Sequence, residues 1–255
     1  MKLAKKQRRQ LYNSISAARQ GLAARSPRWA RSLFGPIYDT VDMLFVDHGI
    51  FRVIYPNRHR LGAQAWRAAQ PTPGHVAAMA RRGVKTIINL RGVRDCGSYR
   101  LARAACQRHG VALVDFQLKS RAAPDPATMR AARAVLEDVE YPIMFHCKSG
   151  ADRAGLMAVL YALHREGQPI DQALEQLDWK FGHFRAADTG ILDQFFEDFS
   201  RHRAAARAAG TPAIASDADA FIAWLETDYD ADALKEGFQA KGVTNWFVNT
   251  VLRRE

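Results

Sequence analysis

Residues 142–161 read PIMFHCKSGADRAGLMAVLY, and the order of residue types predicts a strand, a tight loop and a helix. Pro142–His146 is a short apolar run of strand type. Cys147 follows it, residues Lys148, Ser149, Gly150 and Ala151 form a turn, and a helix opens near Arg153. Ala154, Leu156, Met157, Val159 and Leu160 then supply its apolar faces. A strand–loop–helix of this kind gathers loop amides and the positive end of a helix around one point, which suits an anion. Cysteines at such points titrate at about 3.5–7.5 instead of about 8.5, so Cys147 is the candidate nucleophile. Arg153 lies on the first helical turn, where its planar fork reaches back to hold two oxygens of one anion. Gly150 permits the backbone conformation that lets the amides converge.

Outward from this segment, strand patterns alternate with helical ones. Strands are expected at Ala65–Ala68, Lys85–Leu90, Val111–Leu118 and Pro142–His146, with helices at Pro73–Arg82, Tyr99–Gly110 and Asp125–Asp138. Gly83 and Gly110 stand where helices should stop. The alternation predicts an α/β fold, a central mostly parallel sheet flanked by helices, with helical additions at both ends. The expected division is a basic leader and amphipathic segment over 1–60, a main domain over 61–185, and a helical extension over 186–255. Within 37–55, Leu44, Phe45, Ile50, Phe51, Ile54 and Tyr55 recur at near-helical spacing. That segment either packs on the main domain, the commoner outcome, or lies in a membrane interface. GTPAIAS at 210–216 reads as a linker, with Ser216 or Asp217 capping the next helix.

The formal net charge is +11 over 255 residues. Residues 1–31 hold nine Lys or Arg and no Asp or Glu, which accounts for all but two of that excess. Such a leader suits an anionic membrane surface. No basic–aromatic interleaving or zinc motif accompanies it, which argues against nucleic acid as a partner. Three cysteines without CxxC spacing argue against a disulfide framework and a structural zinc site. They fit a reducing cytoplasmic setting, with peripheral association at the inner face of the membrane.

The stretch HCKSGADRAG resembles the phosphate-binding loop HCxxGxxR of the cysteine-dependent protein tyrosine and dual-specificity phosphatases. Residues 66–92, WRAAQPTPGHVAAMARRGVKTIINLRG, are similar to the opening strand, helix and second strand of the bacterial dual-specificity-like branch. The resemblance spans about residues 60–185. It implies hydrolysis of phosphate monoesters through a cysteinyl-phosphate, with Cys147 as nucleophile and Arg153 as clamp. Lys148, Ser149, Gly150 and Ala151 would bind the phosphate, helped by Arg121 from the facing loop. Neither a metal nor a cofactor is expected, because the cysteine and arginine do what a metal otherwise does.

Two departures from the family pattern matter. Ala154 stands where many members have Ser or Thr. The loop LKSRAAPDP, 118–126, has Ser120 or Arg121 where members place a general-acid Asp. The remaining candidate acids are Asp152, Asp115 and Asp125, and Asp152 is favoured because lipid-phosphatase branches resemble it there. Asp115 falls in an expected strand and Asp125 at an expected helix cap. His146, His48, Gln176 and His183 are read as structural, and Trp179, Phe181, Phe184, Phe195 and Phe196 as packing. The expected substrate is a phosphorylated anionic lipid or polyol. A phosphoprotein is the alternative, and a weakly active phosphate-binding scaffold the second alternative.

Overall fold

The structure, a computed structural model, describes residues 28–47, 49–209 and 216–238, together with Gly21. The basic leader therefore lies outside the described residues, except for Gly21 and the backbone of 28–31, as do His48 and residues 210–215 of the expected linker.

Helix α1 (Arg28–Val41) runs into a π-helical turn (Asp42–Val46) and a short α2 (Gly49–Ile54). Strands β1 (His59–Leu61) and β2 (Ala65–Ala68) follow, then α3 (Pro73–Arg81), β3 (Thr86–Asn89) and α4 (Gly97–His109). Next come β4 (Ala112–Asp115), α5 (Pro126–Asp138), β5 (Ile143–His146) and α6 (Asp152–His164). The described residues finish on α7 (Ile170–Ala173), α8 (Ile191–Ala208), α9 (Asp217–Thr227) and α10 (Ala231–Gly237). The five-stranded sheet is ordered β1-β2-β5-β3-β4, parallel throughout except for β1. This is the α/β architecture expected.

β1 was not anticipated. Its three residues, HRL, pair antiparallel with β2 at the sheet edge, and two polar positions in three hide any strand signal. The other strands fall within the expected runs, although β4 takes up only Ala112–Asp115 of the expected Val111–Leu118. Thr72 caps α3, accepting from the His75 amide at 3.3 Å, and Gly110 ends α4 at φ 65°. Ser216 caps α9 through the Asp219 amide at 3.0 Å.

β5 sits between β2 and β3, and all four of its residues are buried. Side chains alternate across a strand, so Ile143 and Phe145 enter one core and Met144 the other. The first core takes in α5, α6, α8 and α9, including Leu136, Leu156, Phe195, Phe199 and Phe221. The second lies under α3 and α4 with Val76, Met79, Ala105 and Cys106. The extension after residue 186 thus packs into the same core as the central strand, and aromatic pairs such as Phe195–Phe221, with ring centroids 5.8 Å apart, seal it. Ala68, His146 and Asn89 lie level across the sheet. Cys147 emerges from that row at the carboxyl end of the parallel strands, where open α/β sheets place their ligand crevice.

Candidate active site

Residues 147–153 form a tight loop that enters α6. Cys147 is buried, and its Sγ lies 3.2 Å from the Gly150 amide nitrogen, which donates to it. Three successive carbonyls of the loop are held by side chains from elsewhere in the chain. Asn57 Nδ2 donates to the Ser149 carbonyl at 2.8 Å, and Arg67 Nη2 donates to those of Gly150 and Ala151 at 3.0 and 2.9 Å. In a trans peptide the carbonyl and the next amide point in opposite directions. Fixing the carbonyls of 149, 150 and 151 from behind therefore aims the amides of 150, 151 and 152 to the front, toward the thiol and any anion beside it. Gly150 adopts φ 78°, and a Cβ there would fall 2.8 Å from the backbone of Ala68 and Ala69. Only glycine fits that place without strain.

Arg67 holds this arrangement from β2. Its side chain is fully buried, lies 4.0 Å over the Phe181 ring, and donates through Nη1 to the Gln176 carbonyl at 2.6 Å. Burial pushes its guanidinium down to about 10, while Cys147 and Asp152 act to raise it. It remains a cation at neutral pH. His146 is buried beneath the loop with Nδ1 3.3 Å from the Cys147 carbonyl, and burial pushes its imidazole down to about 3. It is a neutral structural group, as its sequence context suggests.

Lys148, Ser149, Gly150, Ala151, Asp152 and Arg153 all belong to the loop or the first turn of α6, and Arg153 is buried beside it. Arg121 is half-buried on the segment between β4 and α5. The three candidate acids have separate surroundings. Asp125 caps α5, where hydrogen bonds from the Thr128 amide and hydroxyl, both 2.8 Å, hold its carboxyl below the usual range. Asp115 accepts from Asn89 Nδ2 at 2.7 Å and the Tyr99 hydroxyl at 2.6 Å, one strand beyond β3.

Asp152 is buried and lies 2.9 Å from His183 Nδ1, while His183 Nε2 is 2.7 Å from Asp193 on α8. Burial alone would lower His183, but the hydrogen bonds to Asp152 and Asp193 outweigh it and raise the imidazole to about 9. Asp152 thus faces an imidazolium across a 2.9 Å contact.

Beside the loop lies a cleft of about 300 Å³ lined by Asp42, Val46, Asp47, Arg91, Arg94, Asp95 and Cys96. Arg91 donates to Gln70 Oε1 at 2.9 Å and to both carboxylate oxygens of Asp47 at 3.1 Å, and the Gln70 amide donates to the Lys148 carbonyl at 3.2 Å. Burial first, then Arg91 and Arg153, push the Arg94 guanidinium down. The cationic groups of this cleft therefore share one electrostatic neighbourhood with Arg153.

Sequence reading missed Arg67, Asn57, Arg91, Arg94 and Asp47 as site residues. One signal was present for Arg67, an arginine inside a short apolar strand between Trp66 and Ala68. Gln176 and His183 are structural as read. Phe181, Phe195 and Phe196 are buried, but Trp179 stands 76% exposed and is no part of the packing expected of it. The three cysteines are buried and unpaired.

A family described as DSP-PTPase phosphatase fused to NAD+ Kinase matches residues 56–192. The dual specificity protein phosphatase TpbA of two Pseudomonas aeruginosa strains is 27% and 26% identical over 161 residues, 63% of this chain. The match spans 62% of those relatives' length, less than two thirds. A crystal structure of P. aeruginosa TpbA in complex with pTyr aligns at 22% identity and TM-score 0.42, covering 71% of this chain and 89% of that one. The core catalytic domain of a PP-IP phosphatase from S. cerevisiae aligns at 17% identity and TM-score 0.45, covering 61% and 94%. With more than half of its residues inside the matched span, the chain belongs to the DSP-PTPase phosphatase family.

Proposed function

We propose that the chain hydrolyses phosphate monoesters through a cysteinyl-phosphate on Cys147. The observation that carries this is the loop itself, in which Arg67 and Asn57 hold three carbonyls back while the Gly150 amide meets the Cys147 sulfur. Donors fixed before substrate arrives stabilise developing charge without reorganising, and each is worth about 10²–10³ in rate. The Cys147 thiolate attacks phosphorus, an S–P bond forms and the bridging P–O bond breaks. The leaving oxygen takes up a proton. Water then attacks phosphorus, the S–P bond breaks, inorganic phosphate departs and the thiolate returns. Arg153 clamps the equatorial oxygens in both steps, with Lys148, Ser149, Gly150 and Ala151 around them and Arg121 at the rim.

Asp152 is assigned a positioning role, since its pairing with His183 fixes the first turn of α6. The proton for the leaving oxygen then comes from water or from the substrate phosphate, whose second pKa is about 6. Residues 61–185 carry this chemistry, and the segments before and after them buttress it.

The substrate class favoured is a phosphorylated anionic lipid or polyol, for which Lys148 in the loop, Arg91 and Arg94 beside it and the basic leader speak. The leader would hold the protein at an anionic membrane, where each Lys or Arg adds about 1 kcal/mol. A second reading, a phosphoprotein substrate, rests on the name of the TpbA relatives. Phosphate release from phospholipid monoesters in mixed micelles, compared with a phosphotyrosine peptide, decides between them. A higher kcat/KM on lipid supports the first reading, and a higher value on peptide replaces it with the second.

A further inference from the structure

The segment 34–55 is inside out. Its carboxylates face the protein: Asp39 accepts from Arg100 at 2.8 Å, Asp42 accepts from the Gly97 amide, and Asp47 binds Arg52, Arg91 and Ser98 at 2.7–3.1 Å. Asp39, Asp42 and Arg52 are buried as a result. The apolar side chains face outward instead. Phe34, Ile37, Val41 and Phe45 are exposed and recur at helical spacing along one side of α1 and the π-turn. That side lies opposite Asp39. Ile50, Val53 and Ile54 on α2 and Tyr55 just after it are exposed too, with Phe45 at 66% and Ile54 at 80%. Among the described side chains of 34–55, every charged one is buried or mostly buried by these contacts. An apolar surface of this extent marks an interaction site.

We infer that this face docks on an anionic lipid bilayer, with α1 and α2 lying in the interfacial plane beside the cleft that Arg91 and Arg94 line. Two features select a bilayer as the occupant. The residues immediately before the face carry nine cations and no carboxylate, which complements anionic headgroups. The face is also continuous with the site, because Asp47 on its inner side binds Arg91, lining the cleft next to Lys148. A phosphate in the headgroup layer would then enter the cleft from the side the helices sit on. No described helix is long and apolar enough to cross a membrane, so the mode is interfacial, an apolar face set into the headgroup boundary. This inference deepens the lipid reading above and rests on it.

The test is co-sedimentation of the full chain with vesicles of phosphatidylglycerol and phosphatidylcholine, comparing wild type with a Phe45→Asp/Ile54→Asp double variant. The expected result is a loss of at least about tenfold in partitioning, the equivalent of 1.4 kcal/mol, with turnover of a soluble aryl phosphate unchanged. Equal partitioning of the two proteins overturns the inference. So does a wild-type dimer, seen by sedimentation velocity, that the double variant breaks while neither protein binds vesicles; the face would then belong to a second copy. Cys147→Ser separates this from the substrate reading, since docking needs no turnover and the variant must bind vesicles as wild type does. Intact vesicle binding without lipid hydrolysis by wild type sinks the substrate reading and leaves the surface standing.

Discussion

Arg67 Nη2 lies 3.0 Å from the Gly150 carbonyl oxygen, and the amide of the same residue contacts the Cys147 sulfur at 3.2 Å. A buried cation thus acts on the back of the loop to set its front. Lysine keeps the charge but not the fork, and cannot hold two carbonyls and Gln176 in one plane. Arg67→Lys should lower kcat/KM on an aryl phosphate by about 10²-fold, the cost of one misplaced donor. Stability should fall by about 1–3 kcal/mol as loop carbonyls lose partners. Unchanged kinetics would show that the loop keeps its shape without the fork.

The Asp152–His183–Asp193 cluster makes stability depend on alkaline pH. His183 is raised from 6.5 to about 9 in the folded protein. Its contribution is fully present below about pH 6.5 and is lost as pH rises through about 9. The melting temperature of wild type should therefore decline between pH 6.5 and 9, and that of His183→Gln should start lower and decline less. Parallel curves for the two proteins would remove the imidazolium from the account.

Asp152 as a positioning residue and Asp152 as an acid predict different leaving-group behaviour. An alkoxide needs a proton far more than a phenoxide does. Asp152→Asn should slow aryl and alkyl phosphates by a similar factor, about tenfold, because it loosens the turn that carries Arg153. A loss of about 10²–10⁴ confined to alkyl phosphates would restore the acid role.

Much of this architecture was legible because parallel strands buried on both faces read as apolar runs. KTIINL and PIMFH declare themselves in that way, while Gly83, Gly110 and Asp125 punctuate the helices between them. The loop was legible for a related reason, since Cys147, Gly150 and Arg153 keep fixed spacing along one contiguous segment. What lay hidden was assembled across the chain. Arg67 reaches the loop from 83 residues away, and Asn57 from 92. His183 joins Asp152 across 31. No local pattern encodes such contacts. The orientation of 34–55 was hidden as well, because amphipathic spacing shows that two faces differ but not which one meets the protein. Packing was the expected outcome for a segment with carboxylates among its polar positions. The helices do pack, through those carboxylates.

Chelation should leave turnover intact, because Arg153 and the loop amides supply the positive field that a metal otherwise gives. Phosphate release measured with and without EDTA checks this, and activity lost to EDTA and restored by a divalent ion would contradict it.

The most direct test of the central claim is phosphate release from an aryl phosphate by wild type and by Cys147→Ser at equal concentration, with acid quenching to trap labelled phosphate on the protein. The account predicts turnover and a trapped phosphoenzyme for wild type, and neither above background for the serine variant. Equal phosphate release by the two proteins would contradict a cysteinyl-phosphate mechanism.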